Sequence, residues 1–369
     1  MKPKYMFIKD HLTQRFEKES FIPGQKLPTE QDLVTYYDSS RTTIRQSLAL
    51  LEEEGVIKRI HGSGSYYNGE TEEVCVEEKV TPKLIGLLNF FQLDYIYPEI
   101  IRGIENTISE EGYSLVVASS DPDDVKQTEV IKRLLDQGID GLILEPNRNL
   151  QIMKDHPVLK MVEESGIPVV TTHWGISNKR VSTVSNDDVQ AGYEAGRYLI
   201  ERGHKAIGIL YKEDIQAGHD RYIGFVRALE EAKIEVDPSM IKTFDNSDEI
   251  HHPRQGYIKT KEMLLDQQRR PTAIFYFNDL TALQGYAAIR EQGLRIPDDI
   301  SVIGFDNFNT TEMVDPPLTT FEHPKYDLGK WAAKILLDEL AGTRSRLPMK
   351  MIFEPLLIER ESVKDLTRI

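Results

Sequence analysis

Residues 271–279 read PTAIFYFND, and this segment shows the architecture of most of the 369-residue chain. The run Ala273–Phe277 is apolar at every position and has the length of a buried strand, and the polar pair Asn278-Asp279 follows it. A pattern of helical period continues over Leu280–Gln292. Strands that are apolar throughout, each followed by an amphipathic helix, are typical of parallel sheets covered by helices on both faces.

The same alternation of apolar strands and amphipathic helices extends from Leu84 to Phe305. It forms two successive sets, which predicts an α/β domain of two doubly wound parallel-sheet lobes. Ligands of open α/β sheets bind beyond the carboxyl ends of the strands, so we expect a site in the cleft between the lobes. We assign residues 83–369 to this domain, one lobe covering about 83–185 and 322–348, the other about 186–320 and 350–369.

The first 68 residues follow a different pattern, which predicts a winged helix-turn-helix with a β-hairpin wing. Thr29 is the expected N-cap of a short second helix, and Ser40–Ser47 begins a longer third helix. The wing is predicted from two short strands around Gly62 and Gly64. The apolar helix faces consist of Tyr5, Ile8, Leu12 and Phe16, then Leu33, Tyr36 and Tyr37, then Ile44, Leu48 and Leu51.

The distribution of charge divides the chain near the same position. Residues 1–68 contain ten lysines and arginines against nine aspartates and glutamates, whereas the remainder contains 35 against 51. The net charge of −15 therefore belongs to the larger part, and the first 68 residues are almost neutral. Residues 69–82 are rich in glutamate and have no helical apolar stripe, so we interpret them as an extended linker.

Several classes of protein are disfavoured by what the sequence lacks. Its one cysteine, Cys75, excludes a disulfide framework and a thiolate metal site. No segment has the pattern of a signal peptide or membrane span, so we expect a soluble cytoplasmic protein that does not engage a membrane. The sequence has no Walker loop, dinucleotide-binding glycine motif, nucleophile elbow or H-E-x-x-H pair. We therefore expect no enzyme activity, no cofactor and no metal site.

The start of the third helix carries the residue types that read DNA. A helix-turn-helix places the N-terminal residues of its second helix in the major groove, where Arg pairs with guanine, Gln with adenine, and Thr with a phosphate or a thymine methyl. Lys58 and His61 on the wing are expected beside the backbone or minor groove. The candidates on the helix are Arg41, Thr42, Thr43, Arg45 and Gln46.

Polar and aromatic side chains follow the ends of the predicted strands. Carboxylates, amides and a guanidinium group that make several hydrogen bonds beside aromatic rings suit a polyhydroxylated ligand. The candidate ligand contacts are Gln92, Tyr97, Glu145, His173, Lys212, Gln216, Arg221, Asn278 and Asp306.

Structural alternatives stand beside this interpretation. Asp279 and Asp306 are also typical of helix caps and turns, Trp174 of a packing anchor, and Tyr95 of plain packing. The pair Asp187-Asp188 is interpreted as capping the following helix and is left out of the site.

The N-terminal part resembles the DNA-binding domain of the GntR family of bacterial regulators. The resemblance rests on PGQKLPTE at 23–30, SRTTIR at 40–45 and LEEEGVI at 51–57. It implies that Glu30, Arg41, Arg45 and the wing tip at His61 lie at DNA. Asp38-Ser39 departs from the Gly-Val that the family commonly has in the turn, and since Asp tolerates the left-handed conformation we expect the turn to persist.

The larger part resembles the LacI/GalR type of sugar-responsive repressor domain, which is similar to periplasmic sugar-binding proteins. The resemblance rests on segments such as RYIGF at 221–225 and IPDDISVIGFD at 296–306. That family's DNA-binding hinge helix is not expected here, because this chain has a GntR-type head. The ligand contacts that the resemblance implies are Glu145, His173, Arg221, Asn278, Asp306 and His323.

The combination of these two parts resembles the arabinose-responsive repressors, as do DGLILEP at 140–146 and FEHPK at 321–325. The resemblance implies a transcriptional repressor that binds palindromic operator half-sites as a homodimer and is released by a small sugar, L-arabinose. The alternative is a regulator of the same architecture that senses another sugar or a nucleobase co-repressor. The sequence leaves open whether the effector releases or promotes DNA binding.

Overall fold

The computed structural model describes residues 3–19, 21–60, 63–68, 83–89, 95–120, 124–147, 156–176, 181–266, 269–343 and 347–368. The chain divides into two compact units, a head (Met1–Thr81) and a body (Pro82–Ile369). The interpreted linker at 69–82 and the candidates His61 and Gln92 lie outside the described residues.

The head is a winged helix-turn-helix. Three helices pack on a two-stranded antiparallel hairpin in which Ile57 pairs with Tyr67. The predicted stripes of the first and third helices form the core, where Ile8, Leu33 and Ile44 have no exposed surface. Tyr36, expected on an apolar face, is 60% exposed instead. The elements are α1 (Lys4–Lys18), α2 (Glu30–Tyr37), α3 (Arg41–Glu53), β1 (Ile57–Ile60) and β2 (Gly64–Tyr67).

Capping residues fix the turn between α2 and α3. Thr29 accepts from the backbone N–H of Asp32, whose carboxylate accepts in return from the backbone N–H of Thr29, so α2 begins with a capping box. Asp38 ends α2 with a φ of 43°, the left-handed conformation expected from the sequence. Ser40 then caps α3 by accepting from the backbone N–H of Thr43.

Among the described residues, the body contains two larger sheets whose strand pairs are all parallel, and one two-stranded antiparallel sheet. We call the six-stranded sheet and its helices lobe 1, and the four-stranded sheet and its helices lobe 2. Lobe 1 begins with β3 (Leu84–Asn89), α4 (Tyr97–Ser109), β4 (Ser114–Ser119), α5 (Asp124–Asp136), β5 (Gly141–Leu144), α6 (Pro157–Ser165), β6 (Val169–Thr172) and β7 (Ser182–Asn186).

Lobe 2 follows, and the chain then crosses between the lobes again. Its elements are α7 (Asp188–Glu201), β8 (Ile207–Lys212), α8 (Gln216–Glu231), β9 (Ile241–Phe244), α9 (Asn246–His251), α10 (Gln255–Leu264), β10 (Ala273–Tyr276), α11 (Asp279–Glu291) and β11 (Ser301–Ile303). The last elements are β12 (Thr320–Phe321), α12 (Lys325–Leu340), β13 (Lys350–Phe353) and β14 (Leu357–Ile358), with β12 and β14 antiparallel. The strand order is β13-β7-β6-β5-β3-β4 in lobe 1 and β11-β10-β8-β9 in lobe 2.

The expected lobe boundary differs from the structure near the C-terminus. Residues from 350 onward were expected in lobe 2, but β13 pairs in parallel with β7 at the edge of the lobe 1 sheet. The chain returns to lobe 2 only afterwards, where the backbone N–H of Val302 donates to the carbonyl of Ser362. The strand β13 has only four residues, and the sequence of its partner β7 is the largely polar STVSN. The apolar pattern of the two strands is therefore too weak to predict this pairing.

Two glycines bring α7 and α8 into close contact in lobe 2. A Cβ at Gly192 would collide with the carbonyl oxygen of Arg221, and a Cβ at Gly224 with that of Val189. This close packing positions Asp188, at the start of α7, beside the Arg221 side chain. No helix among the described residues is long and apolar enough to span a membrane.

Candidate functional site

A cavity of about 190 Å³ lies between the carboxyl ends of the strands of lobe 1 and lobe 2. The structure does not place Gln216 on its wall, because that side chain donates to Asp220 at 2.8 Å while the neighbouring Ile215 and Ala217 line the cavity. Eight candidates from the sequence do line it: Tyr97, Glu145, His173, Lys212, Arg221, Asn278, Asp306 and His323.

Lobe 1 contributes a connected set of polar groups. The Tyr97 hydroxyl donates to the two carboxylate oxygens of Glu145 at 3.3 and 3.1 Å. Oε1 of Glu145 lies 3.4 Å from Nδ1 of His173, and Nε2 of His173 lies 3.2 Å from Nε2 of His323. The set therefore runs from α4 through the ends of β5 and β6 to the crossover before α12.

The two histidines are neutral near pH 7. Burial, assisted by the charge of Arg221, lowers the pKa of His173 to about 4. Burial also lowers the pKa of His323 well below its ordinary value, with His173 acting in the same direction. In a pair of neutral imidazoles one Nε2 donates and the other accepts. Nδ1 of each histidine is buried and makes no hydrogen bond among the described residues, although Nδ1 of His173 lies 3.4 Å from Glu145.

Arg221 is a buried cation of lobe 2. Its Nε donates to Oδ1 of Asp188 at 2.8 Å and its Nη1 to the carbonyl of Phe277 at 2.5 Å. The guanidinium carbon lies 3.4 Å from the centroid of the Phe305 ring, a cation–π contact. These contacts fix the guanidinium plane beside the cavity.

Asp188 was missed by the sequence interpretation, which treated Asp187 and Asp188 together as helix caps. Asp187 does cap α7 by accepting from the backbone N–H of Gln190 at 2.9 Å. Asp188 instead pairs with Arg221, and both side chains are buried. The two residues are 33 positions apart, so no local pattern reveals the pair.

Lys212 and Glu249 form a second ion pair on the cavity wall. Lys212 ends β8 and is buried, whereas Glu249 lies on the short helix α9. Glu249 was not among the candidates, because a helix of six residues gives little periodic signal. The pair places one positive and one negative charge on the wall of the cavity.

Asn278 and Asp279 have separate roles. Asn278 lines the cavity and also caps α11, its Oδ1 accepting from the backbone N–H of Thr281 at 2.9 Å. Asp279 is fully buried and accepts from the Thr320 hydroxyl at 2.6 Å and the backbone N–H of Phe308 at 2.8 Å. Asp279 therefore has the structural role that the sequence left open, and Asn278 is the member that faces the cavity.

Asp306 is the buried carboxylate of lobe 2 that faces the cavity. Burial raises its pKa to about 6, although the charge of Arg221 acts in the opposite direction. Its backbone adopts a φ of 105°, and its carbonyl accepts from Nζ of Lys325 at 2.6 Å. The backbone is therefore held from α12 while the carboxyl group points towards the site.

The head carries a cluster of three arginines around Glu30, the first residue of α2. Its carboxylate lies 2.9 Å from Nε of Arg45 and 3.5 Å from nitrogens of Arg41 and Arg59. Partial burial opposes ionisation, but the bond from Arg45 and the neighbouring charges keep the pKa of Glu30 below its ordinary value. The side chains of Arg41 and Arg45, both on α3, remain 65% and 60% exposed.

The other candidates of the head differ in accessibility. Thr42, Gln46 and Lys58 are exposed. The Thr43 hydroxyl lies 2.8 Å from Oγ of Ser40, so it belongs to the cap of α3. The exposed face of α3 thus presents two cations and an amide, the groups that pair with base edges and phosphates.

Known protein families match both the head and the body. The profile of the bacterial regulatory proteins of the gntR family matches residues 4–66, and that of the periplasmic binding protein-like domain matches residues 197–363. The arabinose metabolism transcriptional repressor of Geobacillus stearothermophilus is 31% identical over 364 residues, covering 99% of this chain and 98% of the relative.

Two further matches concern the body. The HTH-type transcriptional repressor PurR of Pectobacterium atrosepticum is 37% identical over 288 residues, 77% of this chain and 80% of the relative. A LacI family transcriptional regulator from Enterococcus faecium, solved with bound ribose, superimposes with a TM-score of 0.66 at 28% identity, over 77% of this chain and all of that one.

Fold, site and similarity together define a transcriptional repressor with a DNA-binding head and a sugar-binding type of body, and not an enzyme. The chain belongs to the family of gntR-type repressors that carry a periplasmic binding protein-like domain. Among the described residues there is no group of three or more His, Cys, Asp or Glu that could hold a metal ion.

Proposed function

We propose that the chain represses transcription as a homodimer on palindromic operator DNA and is released when L-arabinose binds in the cavity of the body. The observation that carries the proposal is similarity over almost the whole chain to an arabinose metabolism repressor. The relative solved with ribose supports a pentose in the same fold.

The lining of the cavity is compatible with a pentose. Glu145 and Asp306 supply carboxyl oxygens for sugar hydroxyls, while Arg221 and the Asn278 amide supply donors. Trp174 presents an aromatic ring to the carbon face, with its Nε1 already donating to the carbonyl of Pro146 at 2.5 Å. A volume of about 190 Å³ is below the ~300–1,000 Å³ typical of sites for drug-sized ligands, which favours a small effector.

In the head, Arg41, Arg45 and Gln46 are proposed to read base edges in the major groove. Thr42, Lys58 and His61 are assigned to the backbone or the minor groove. Glu30 sets the direction of the arginines through its ion pairs, and Thr43 orders the helix start. Because the head is nearly neutral and has few cations, DNA binding depends on a local patch of positive charge and has a modest salt dependence.

Coupling follows from closure of the two lobes on the sugar. A ligand changes the equilibrium between open and closed lobes only by its differential affinity for the two forms. A reversal from 1:99 to 99:1 requires about 5.5 kcal/mol, which the polar contacts on both sides of the cleft would have to supply.

The test combines ligand binding with operator release. Operator duplexes are selected from a random library with the full chain, and binding is then titrated with L-arabinose, D-ribose, D-xylose, D-glucose and purine bases. Of these compounds, we expect only L-arabinose to raise the melting temperature of the protein and to release it from the duplex. Stabilisation by a different sugar, or tighter DNA binding in the presence of a purine, would reject arabinose as the effector.

A further inference from the structure

Tyr95 connects the two lobes directly. It lies two residues before α4 of lobe 1, yet its hydroxyl donates to Oδ2 of Asp306 in lobe 2 at 2.6 Å. Its ring centroid lies 4.7 Å from that of Phe308, also in lobe 2. The residue has a φ of 59°, an unusual conformation for a tyrosine, which turns the side chain across the cleft.

Asp306 depends on Tyr95 for the orientation of its side chain. Its backbone N–H donates to the carbonyl of Phe321 at 2.9 Å, and its carbonyl accepts from Nζ of Lys325, so the backbone is fixed independently. Among the described residues, Tyr95 is the hydrogen-bond donor to the carboxyl group. The bond from Tyr95 is made to Oδ2, no hydrogen bond to Oδ1 is found among the described residues, and Asp306 lines the cavity.

We propose that Tyr95 is a positioning residue that joins the lobes across the cleft and directs the free oxygen of Asp306 towards the ligand. The role of Asp306 as a ligand contact rests on the proposed function, whereas the contact between the lobes does not. The closed arrangement is then partly stabilised before any sugar binds, and the sugar meets a carboxyl group that is already oriented.

The charges around Asp306 are consistent with this role. Burial raises the pKa of the Tyr95 phenol well above its ordinary value, so the hydroxyl is a neutral donor at physiological pH. Burial raises the pKa of Asp306 to about 6, and the bond from Tyr95 is one of the groups that oppose the rise. Removal of the hydroxyl therefore raises this pKa further. The other groups that face this carboxyl are Arg221, Lys325, Asp188 and Asp279.

The first test needs no ligand. The chain has two tryptophans, so in a Trp331→Phe background Trp174, on the cavity wall, is the remaining one. Tyr95→Phe removes one oxygen and keeps the ring against Phe308. The matched control is Tyr193→Phe, which removes a hydroxyl that donates to Glu231 at 2.7 Å, outside the cavity.

We expect acrylamide to quench Trp174 more strongly in ligand-free Tyr95→Phe than in the parent or in Tyr193→Phe, because the lobes open more often. Equal quenching in all three proteins would show that the hydrogen bond between Tyr95 and Asp306 does not hold the lobes together. This result does not depend on the identity of the effector.

The second test measures L-arabinose binding by calorimetry between pH 5 and pH 8. Tyr95→Phe is expected to weaken binding about tenfold at pH 7.5, or about 1.4 kcal/mol. The ionised carboxylate is the form that accepts two sugar hydroxyls, so affinity falls as the pH drops through about 6 in the parent. In Tyr95→Phe the fall should begin at a higher pH, and in Tyr193→Phe it should not move.

The two hypotheses fail in different ways. If the parent chain does not bind L-arabinose, the proposed effector is wrong and the quenching result alone decides the role of Tyr95. If the parent binds and Tyr95→Phe has the same affinity and the same pH profile, the positioning of Asp306 by Tyr95 is refuted.

Discussion

Arg221 and Asp188 form a buried ion pair beside the cavity, with Nε of the arginine 2.8 Å from Oδ1 of the aspartate. The pair joins the start of α7 to the middle of α8, where Gly192 and Gly224 allow the two helices to approach closely. It therefore connects a side chain on the cavity wall to the packing of lobe 2.

Asp188→Ala should destabilise the body and weaken sugar binding together. Removal of one partner of a buried pair leaves an uncompensated charge and costs ~3–5 kcal/mol. Chemical denaturation and calorimetry measure the two effects. Glu231→Ala breaks the half-exposed pair with Arg227 and should change neither quantity appreciably. Equal stability of the two variants would contradict the role given to Asp188.

Arg221→Lys should abolish the response to sugar while operator binding persists. Lysine keeps the charge next to Asp188, so the fold is preserved, but it cannot reproduce the planar set of donors. Calorimetry with L-arabinose and a mobility shift with operator duplex provide the two readouts. Arg227→Lys, on the exposed face of the same helix, is the control. Normal sugar binding by Arg221→Lys would remove Arg221 from the site.

Arg41→Ala and Arg45→Ala should each weaken operator binding by about 1–3 kcal/mol if the arginine pairs with a guanine. Sugar binding should be unchanged, because both residues belong to the head. Fluorescence anisotropy with labelled duplex measures the loss. Arg15→Ala on α1 removes a cation paired with Glu19 and should have little effect. A uniform loss on all duplex sequences would assign the arginines to phosphates instead of bases.

Glu30→Gln should reduce specificity and increase binding to random DNA. The carboxylate holds Arg41, Arg45 and Arg59, and its loss both frees these side chains and removes a negative charge near phosphates. The ratio of affinities for operator and random duplex is the measurement. Glu54→Gln, which breaks the pair with Lys9, is the matched control. An unchanged ratio would mean that Glu30 does not orient the arginines.

His173→Asn should flatten the acid side of the stability profile. His173 has a lowered pKa of about 4 in the folded chain, so the unfolded chain takes up its proton first as the pH falls from 6.5. The stabilisation from the neutral imidazole is thus present above 6.5 and is lost towards pH 4. Asn accepts the left-handed backbone of this position, where φ is 65°. His252→Asn, at an exposed site, should keep the wild-type slope.

Local patterns were sufficient for most elements. The apolar run before Asn278 and the stripes of Ile8 and Ile44 depend on neighbours within one element, and the structure contains them as predicted. The strand β7 was missed because STVSN has no apolar run, and its partner β13 was assigned to the wrong lobe. The helix α12 carries a clear stripe, with Leu328 and Ala332 fully buried, and was simply not assigned.

The site was predictable only where a strand end identifies a residue. Glu145, His173 and Lys212 end or follow parallel strands, so sheet geometry brings them to one edge. Gln216 does not line the cavity because, as the first residue of α8, it donates to Asp220 one turn further along the helix, while Ile215 and Ala217 line the cavity. Contacts between distant segments, such as Tyr95 with Asp306, depend on how the lobes meet and leave no trace in sequence spacing.

The capping role of Asn278 limits what can lie opposite it in the cavity. Its Oδ1 is committed to the backbone N–H of Thr281, so the orientation of the amide is fixed by its own helix. The Nδ2 hydrogens are the donors of this amide, so a bound molecule that contacts them must present a lone pair. The start of α11 thus defines the polarity of one ligand atom, and a deoxy analogue without an oxygen there would leave a donor unsatisfied.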